Sequence, residues 1–132
     1  MGNEATRAAV AEIVDPDIDF YPVRKFPEAE PCHGREEFSQ FMETFADSYA
    51  RTQWSVKHVA EVGDDRVLVL AALETQGRGS GMQLEGDVYV CLWLRHGRFF
   101  RIENHVTAAG ALHALGLEGD ALETLGLPET AP

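Results

Sequence analysis

Two stretches of this chain, Val67 to Leu73 and Val88 to Leu94, are apolar without alternation. Each has the length of a strand, and the second adds Tyr89 and Trp93 to its valines, side chains that fit a pleated surface. An antiparallel strand with one face in water alternates apolar and polar residues, whereas a strand covered on both faces need not. Something must therefore cover both sides of this sheet. The chain offers one strongly amphipathic helix: Phe38, Phe41, Met42, Phe45 and Tyr49 recur at helical spacing and give it an aromatic inner face. That helix covers one side. A second copy of the chain, packed sheet on sheet, is the expected cover for the other, which predicts a homodimer. The alternative is a sheet that curls tightly enough to bury both faces itself.

The remaining punctuation is consistent with this frame. Asn3 is placed to cap a short helix with the stripe Ala9, Val10, Ile13 and Val14, and Asp15-Pro16 is expected to end it, since a residue before proline avoids the helical basin. A strand is expected near Asp17 to Val23, and Pro22, Pro27 and Pro31 make Val23 to Gly34 an irregular loop. Strands are expected over Gln53 to Val62 and, after the turn Gly63-Asp64-Asp65, over Arg66 to Gln76. The glycine-rich loop at 77 to 81 leads into a strand from Met82 to Arg95, the tight turn His96-Gly97 turns it back, and the returning strand closes into a short helix before Leu117. Residues 117–132 read as a C-terminal extension of a single domain spanning 1–132.

Charge and composition exclude several functions. A formal charge of −11 repels nucleic acid and anionic membranes, and Arg78, Arg95, Arg98 and Arg101 are too few and too interspersed to track a phosphate backbone. No apolar run approaches the roughly 20 residues needed to span a bilayer, and Met1 to Val14 lacks the basic-then-apolar order of a signal peptide. Cys32 lies in a proline-flanked loop and Cys91 in an apolar run, so a reduced, cytoplasmic setting without disulfides is expected. The histidines show no i, i+3 or i, i+4 pairing and no cysteine partner at ligand spacing, so neither a metal nor another cofactor is expected.

The order of elements, together with Asp15-Pro16-Asp17, Gly34-Arg35-Glu36, the 77 to 81 loop and Gly110 to Leu117, resembles the SnoaL-like polyketide cyclase family. That family belongs to the nuclear transport factor 2-like superfamily, with ketosteroid isomerase and limonene epoxide hydrolase. The resemblance covers about residues 5 to 117 and implies an α+β fold: a cone-shaped, curved antiparallel sheet wrapped around a helix, with a ligand pocket in its mouth. Relatives begin with a longer helix that lids this pocket. Only about fourteen residues precede Asp15 here, so the N-terminal helical lid is shortened, and the leucines of Leu112 to Leu127 are expected to pack over the region it leaves bare.

The same resemblance implies where chemistry would sit, and this chain departs from it at each position. The cyclases and epoxide hydrolases carry an aspartate where this chain has Asn104, and the cyclases a histidine where it has Val90. The hydrolase arginine and aspartate positions read as Ala71 and Leu73, and the isomerase base and protonated acid positions as Tyr21 and Val90. An amide cannot serve as a carboxylate base, although it donates and accepts hydrogen bonds.

Strand alternation locates the pocket independently. If Ile102 and Val106 face the cone, so does Asn104, while Phe99, Arg101, Glu103, His105 and Thr107 face away. Ala71, Leu73, Val88, Val90 and Leu92 would add to the lining from neighbouring strands, Phe38, Met42 and Phe45 from the helix, and Tyr21 from the mouth. A mostly apolar lining with few polar groups is the composition of a small-molecule site, and equally of a filled core. For Asn104 the plain alternative is a buried amide bonded to backbone.

Other candidates yield to simpler readings. Cys32-His33 lacks an orienting third group, Trp54 and Trp93 read as packing or interface anchors, and the glycine-rich loop has no lysine for a phosphate. Three functions stay open. The first is a protein that binds a small apolar, carbonyl- or hydroxyl-bearing ligand through Asn104 and Tyr21. The second is a cyclase, isomerase or dehydratase whose acid/base group comes from a non-standard position, with Tyr21 the best remaining proton donor. The third is a non-catalytic dimeric interaction module whose cone is filled.

Overall fold

Two turns of left-handed backbone set the centre of the sheet. Gly63 has φ 65°, and His96 and Gly97 have φ 54° and 77°, the sign that a two-residue hairpin loop needs at both central positions. The computed structural model describes residues 8, 11–22, 30–77 and 83–117. In chain order these form β1 (Val14–Tyr21), β2 (Cys32–His33), α1 (Gly34–Ser48), β3 (Tyr49–Val62), β4 (Arg66–Gly77), β5 (Gln83–Arg95), β6 (Arg98–His105) and α2 (Ala108–Ala114). The six strands make one curved sheet in the order β2-β1-β6-β5-β4-β3, antiparallel throughout except where β1 runs parallel to β6. The fold is α+β, as expected from the sequence.

The two unbroken apolar runs are explained by what lies on each side of them. Residues paired across neighbouring strands share a face, so Leu68 and Cys91, and Leu70 and Tyr89, stand together. Over them lie Ala111, Leu112 and Leu115, with Val62 completing the cluster. On the opposite side Val90, Leu92, Phe99 and Ile102 join Val14, Ile18 and Phe20 under Phe38, Phe41 and Met42 of α1; Phe99, expected to face away, is turned to this side by the register shift between Trp93 and Leu94. Both faces are therefore covered by the chain's own helices. The second face, for which a second copy was the expected cover, lies under the seven-residue α2, whose Ala111, Leu112 and Leu115 are at most 2% exposed.

The same packing corrects the expected position of the C-terminal leucines. Leu112 and Leu115 lie on the face opposite α1, away from the concave side, and the residues after 117 lie outside those described. The path is set by caps. Thr107 accepts a hydrogen bond from the Gly110 amide at 3.1 Å, and at the other end Gly116, at φ 76°, and Leu117 donate back to His113 and Leu112. Arg66 donates to the Leu115 carbonyl and ties the helix end to β4.

Local boundaries moved where hydrogen bonding overrode the sequence signals. Residues 11–13 are helical and pass directly into β1 at Val14, so Asp15-Pro16 lies inside the strand and does not close the helix. Pro16, which has no amide to donate, falls within the register shift between Val14 and Asp19. The proposed cap Asn3 lies outside the described residues. Arg35 at the start of α1 donates to the carbonyls of Val14 (2.8 Å) and Ala11 (3.1 Å), which joins the helix to this segment. Cys32 and His33, expected in a loop, pair with Phe20 and Asp19 as β2, and β3 starts at Tyr49, four residues before its expected start.

Candidate functional site

Register decides which side chains meet. Val90 pairs with Asn104 and Leu92 with Ile102, while Val69 pairs with Val90 and Ala71 with Val88. These residues share the concave face with α1, and Leu73, two residues beyond Ala71, joins them. Ala71, Leu73, Val88 and Ile102 are all at most 8% exposed. Phe38 and Met42 pack on this side, and Phe38 meets the Phe20 ring edge-on at 4.9 Å. Phe41 reaches the same ring at 5.2 Å.

Asn104 is the polar member of this row. Its side-chain nitrogen donates to the backbone carbonyl of Tyr21 at 2.9 Å, a bond that joins the end of β6 to the end of β1. Its Oδ1 accepts no hydrogen bond from the described residues and is not among the side-chain oxygens sealed from solvent. The residue is half-buried. The backbone-bonded reading of Asn104 therefore describes one end of the amide, its Nδ2.

Two residues expected beside it are elsewhere. Tyr21 pairs in parallel with Glu103, on the outer face, and its ring lies beneath the Arg101 guanidinium at 4.9 Å. Tyr21 therefore reaches the site through its carbonyl and not its phenol, which corrects its assignment as a lining proton donor. Val106 also fails to continue the row: β6 ends at His105, and Val106 beyond it is 55% exposed. The backbone of Phe45 belongs to α1, but its side chain lies outside those described.

Sequence reasoning passed over Val69 and Phe20, which alternation and register would have supplied once β1 was paired with β6, and it put Phe41 on the inner face of the helix without counting it in the lining. It also passed over Glu43 of α1, a half-buried carboxylate whose Oε2 is shielded from solvent, one turn after the buried Ser39.

The outer face holds a separate polar array. Glu103 accepts from Arg101 at 2.6 Å and lies 3.0 Å from the His105 ring, and Arg101 is also stacked 5.5 Å over Trp93. The carboxylate is shared by Arg101 and the His105 ring and lies across the sheet from Asn104. Neither thiol is poised as a nucleophile. Burial pushes the Cys91 thiol up to about 12, and its Sγ lies 3.6 Å from the Ala111 carbonyl. Burial raises Cys32 as well. His33 meets Asp19 at 2.7 Å in an exposed pair, and that bond raises its pKa. Among the described residues no three His, Cys, Asp or Glu side chains gather as a metal would require.

Comparison with known proteins places this geometry in context. The profile of the SnoaL-like domain matches residues 3–102. No curated protein matches the chain. Among solved structures, a protein of ketosteroid isomerase-like fold from Catenulispora acidiphila, in complex with trimethylamine, is 15% identical with a TM-score of 0.65, covering 86% of this chain and 85% of that one. TerC co-crystallised with polyporic acid is 18% identical, with a TM-score of 0.64 over 86% of this chain and 88% of its own. A SnoaL-like polyketide cyclase, so described, from Jannaschia is 18% identical, with a TM-score of 0.64 over 85% of this chain and 79% of its own. At these identities the likeness is one of fold.

Proposed function

Because the chain belongs to the SnoaL-like domain family, we propose that it is a small-molecule-binding protein that holds an apolar, hydroxyl- or carbonyl-bearing ligand against the concave face of its sheet. The observation that carries this reading is Asn104. A half-buried amide, fixed by the Tyr21 carbonyl and open at Oδ1, stands in a row otherwise made of Val88, Val90, Leu92 and Ile102. One oriented polar group on an apolar wall is how small-molecule sites combine affinity with selectivity. Two proteins of similar fold were crystallised with trimethylamine and with polyporic acid, which supports a ligand-holding role.

No reaction is assigned. The positions at which the resemblance implies acid/base groups hold Ala71, Leu73 and Val90, and the phenol of Tyr21 lies on the other face. The test uses 2-naphthol as a probe. Asn104→Leu is expected to weaken its binding by roughly tenfold, as when a hydrogen bond of about 1 to 3 kcal/mol is lost in a dry site. Unchanged affinity would contradict the assignment.

We also propose that the protein pairs with a second copy through β3, one of the two edge strands of the sheet among the described residues. Trp54, Val56 and Val59 are 47%, 66% and 56% exposed there, and their cross-strand partners Leu73, Ala71 and Val69 place all three on one face. With a formal charge of −11 spread over the chain, this apolar row is the surface that gains from self-association. Val56→Asp should convert a dimer to a 14.6 kDa species in sedimentation equilibrium, and a wild-type protein that sediments only at that mass would refute the pairing. The unpaired thiols of Cys32 and Cys91 fit a reducing, cytoplasmic setting, and among the described residues no helix is long and apolar enough to cross a membrane.

A further inference from the structure

The backbone carbonyl of Tyr21 dictates how Asn104 can be read by a ligand. An amide side chain has two ends, and turning it over exchanges an acceptor for a donor. With Nδ2 at 2.9 Å from the Tyr21 oxygen, only one orientation gives that carbonyl a donor. The reverse would set Oδ1 against another carbonyl oxygen, two acceptors face to face, and leave a backbone acceptor unsatisfied. The orientation is therefore fixed before any ligand arrives.

What remains for a ligand is mainly an acceptor. Oδ1 takes no hydrogen bond from the described residues and is not sealed from solvent, so its acceptor capacity is uncommitted. Val90 directly across the strand pair and Ile102 two residues back are aliphatic and bring no competing donor. A ligand carbonyl would find only the second N–H of a nitrogen already committed to Tyr21. A ligand hydroxyl or N–H would find an oxygen with nothing else to do.

We propose that this carbonyl-locked amide selects its ligand by a hydrogen-bond donor, a hydroxyl or N–H on an apolar frame, in preference to a ketone or ether. The inference rests on the reading that the ligand lies against the concave face, and it narrows the ligand class within that reading. It also accounts for asparagine at a position where the resemblance implies aspartate. A carboxylate there would face the Tyr21 carbonyl and would be stable only by keeping its proton as the missing donor.

Three probes of one shape separate the outcomes: 2-naphthol, which donates; 2-methoxynaphthalene, which cannot donate; and 2-acetonaphthone, which offers a ketone. On the intact protein 2-naphthol is expected to bind about tenfold or more tightly than the other two, and Asn104→Leu to remove that difference. Equal affinity for all three, or tighter binding of the ketone, overturns donor selection while the concave-face reading stands. Failure of every probe to bind at millimolar concentration overturns both. A ligand-free measurement tests the lock itself. In Asn104→Asp, the introduced carboxyl, followed by NMR, should titrate about two units or more above the ordinary carboxylate value of about 3.9. A titration at or below that value would show that the Tyr21 carbonyl makes no such demand.

Discussion

Replacing Leu112 by alanine tests whether the short helix α2 truly supplies the second cover of the sheet. Leu112 is 2% exposed and belongs to the cluster of Leu70, Tyr89 and Cys91, which are themselves at most 3% exposed. The substitution removes three carbons, a transfer loss of about 2.4 kcal/mol at roughly 0.8 kcal/mol each. A cavity contribution adds to it, because the floor is a hydrogen-bonded sheet that cannot collapse into the space. The total comes to about 3 to 4 kcal/mol. Urea unfolding at a fixed protein concentration, so that any self-association is held constant, measures it directly. Val106→Ala is the control: at 55% exposure and outside any strand, it should change stability by no more than about 0.5 kcal/mol. If Leu112→Ala costs less than about 1 kcal/mol, α2 is a passenger, and the apolar outer face of β4 and β5 needs another cover.

Two further outcomes follow from the electrostatics and burial. The hydrogen bond from Arg95, followed by the bond from the Asp17 amide, lowers the pKa of Asp15. A depressed acid contributes stability that is present above its unfolded value of about 3.9 and lost as pH falls through its folded value, so stability should decline on acidification below about pH 4, and Asp15→Asn should make that decline shallower. Cys91, with its thiol pushed up to about 12, should resist iodoacetamide at pH 8 in the folded protein and react once urea unfolds it; modification without unfolding would show that the thiol is not sealed under α2.

The legible parts of this protein were those governed by local periodicity. The helical stripe Phe38, Phe41 and Met42, the His96-Gly97 turn and the two apolar runs each act through neighbours close in sequence, and each stands in the structure where its pattern indicated, whereas Tyr49, expected to continue the stripe, opens β3. Asn104 could be assigned its face because Ile102 shares it at a spacing of two. Tyr21 could not. Its face depends on a parallel pairing with β6, eighty-two residues later in the chain at Glu103, and on the register shift around Pro16; neither leaves a signal in the residues near it. The side on which α2 lands was illegible for a similar reason. Its leucines require an apolar partner, and both faces of β4 and β5 offer one. The choice falls to the caps at Thr107 and Gly116 and to the reach of Arg66.

The central claim, that a ligand lies on the concave face against Asn104, is tested most directly by proton–proton nuclear Overhauser contacts from bound 2-naphthol. The account predicts contacts to the methyl groups of Val90 and Ile102 and to the Asn104 side-chain amide, three groups that register places side by side. Contacts instead to the rings of Tyr21 and Trp93, which flank Arg101 on the outer face, would contradict it.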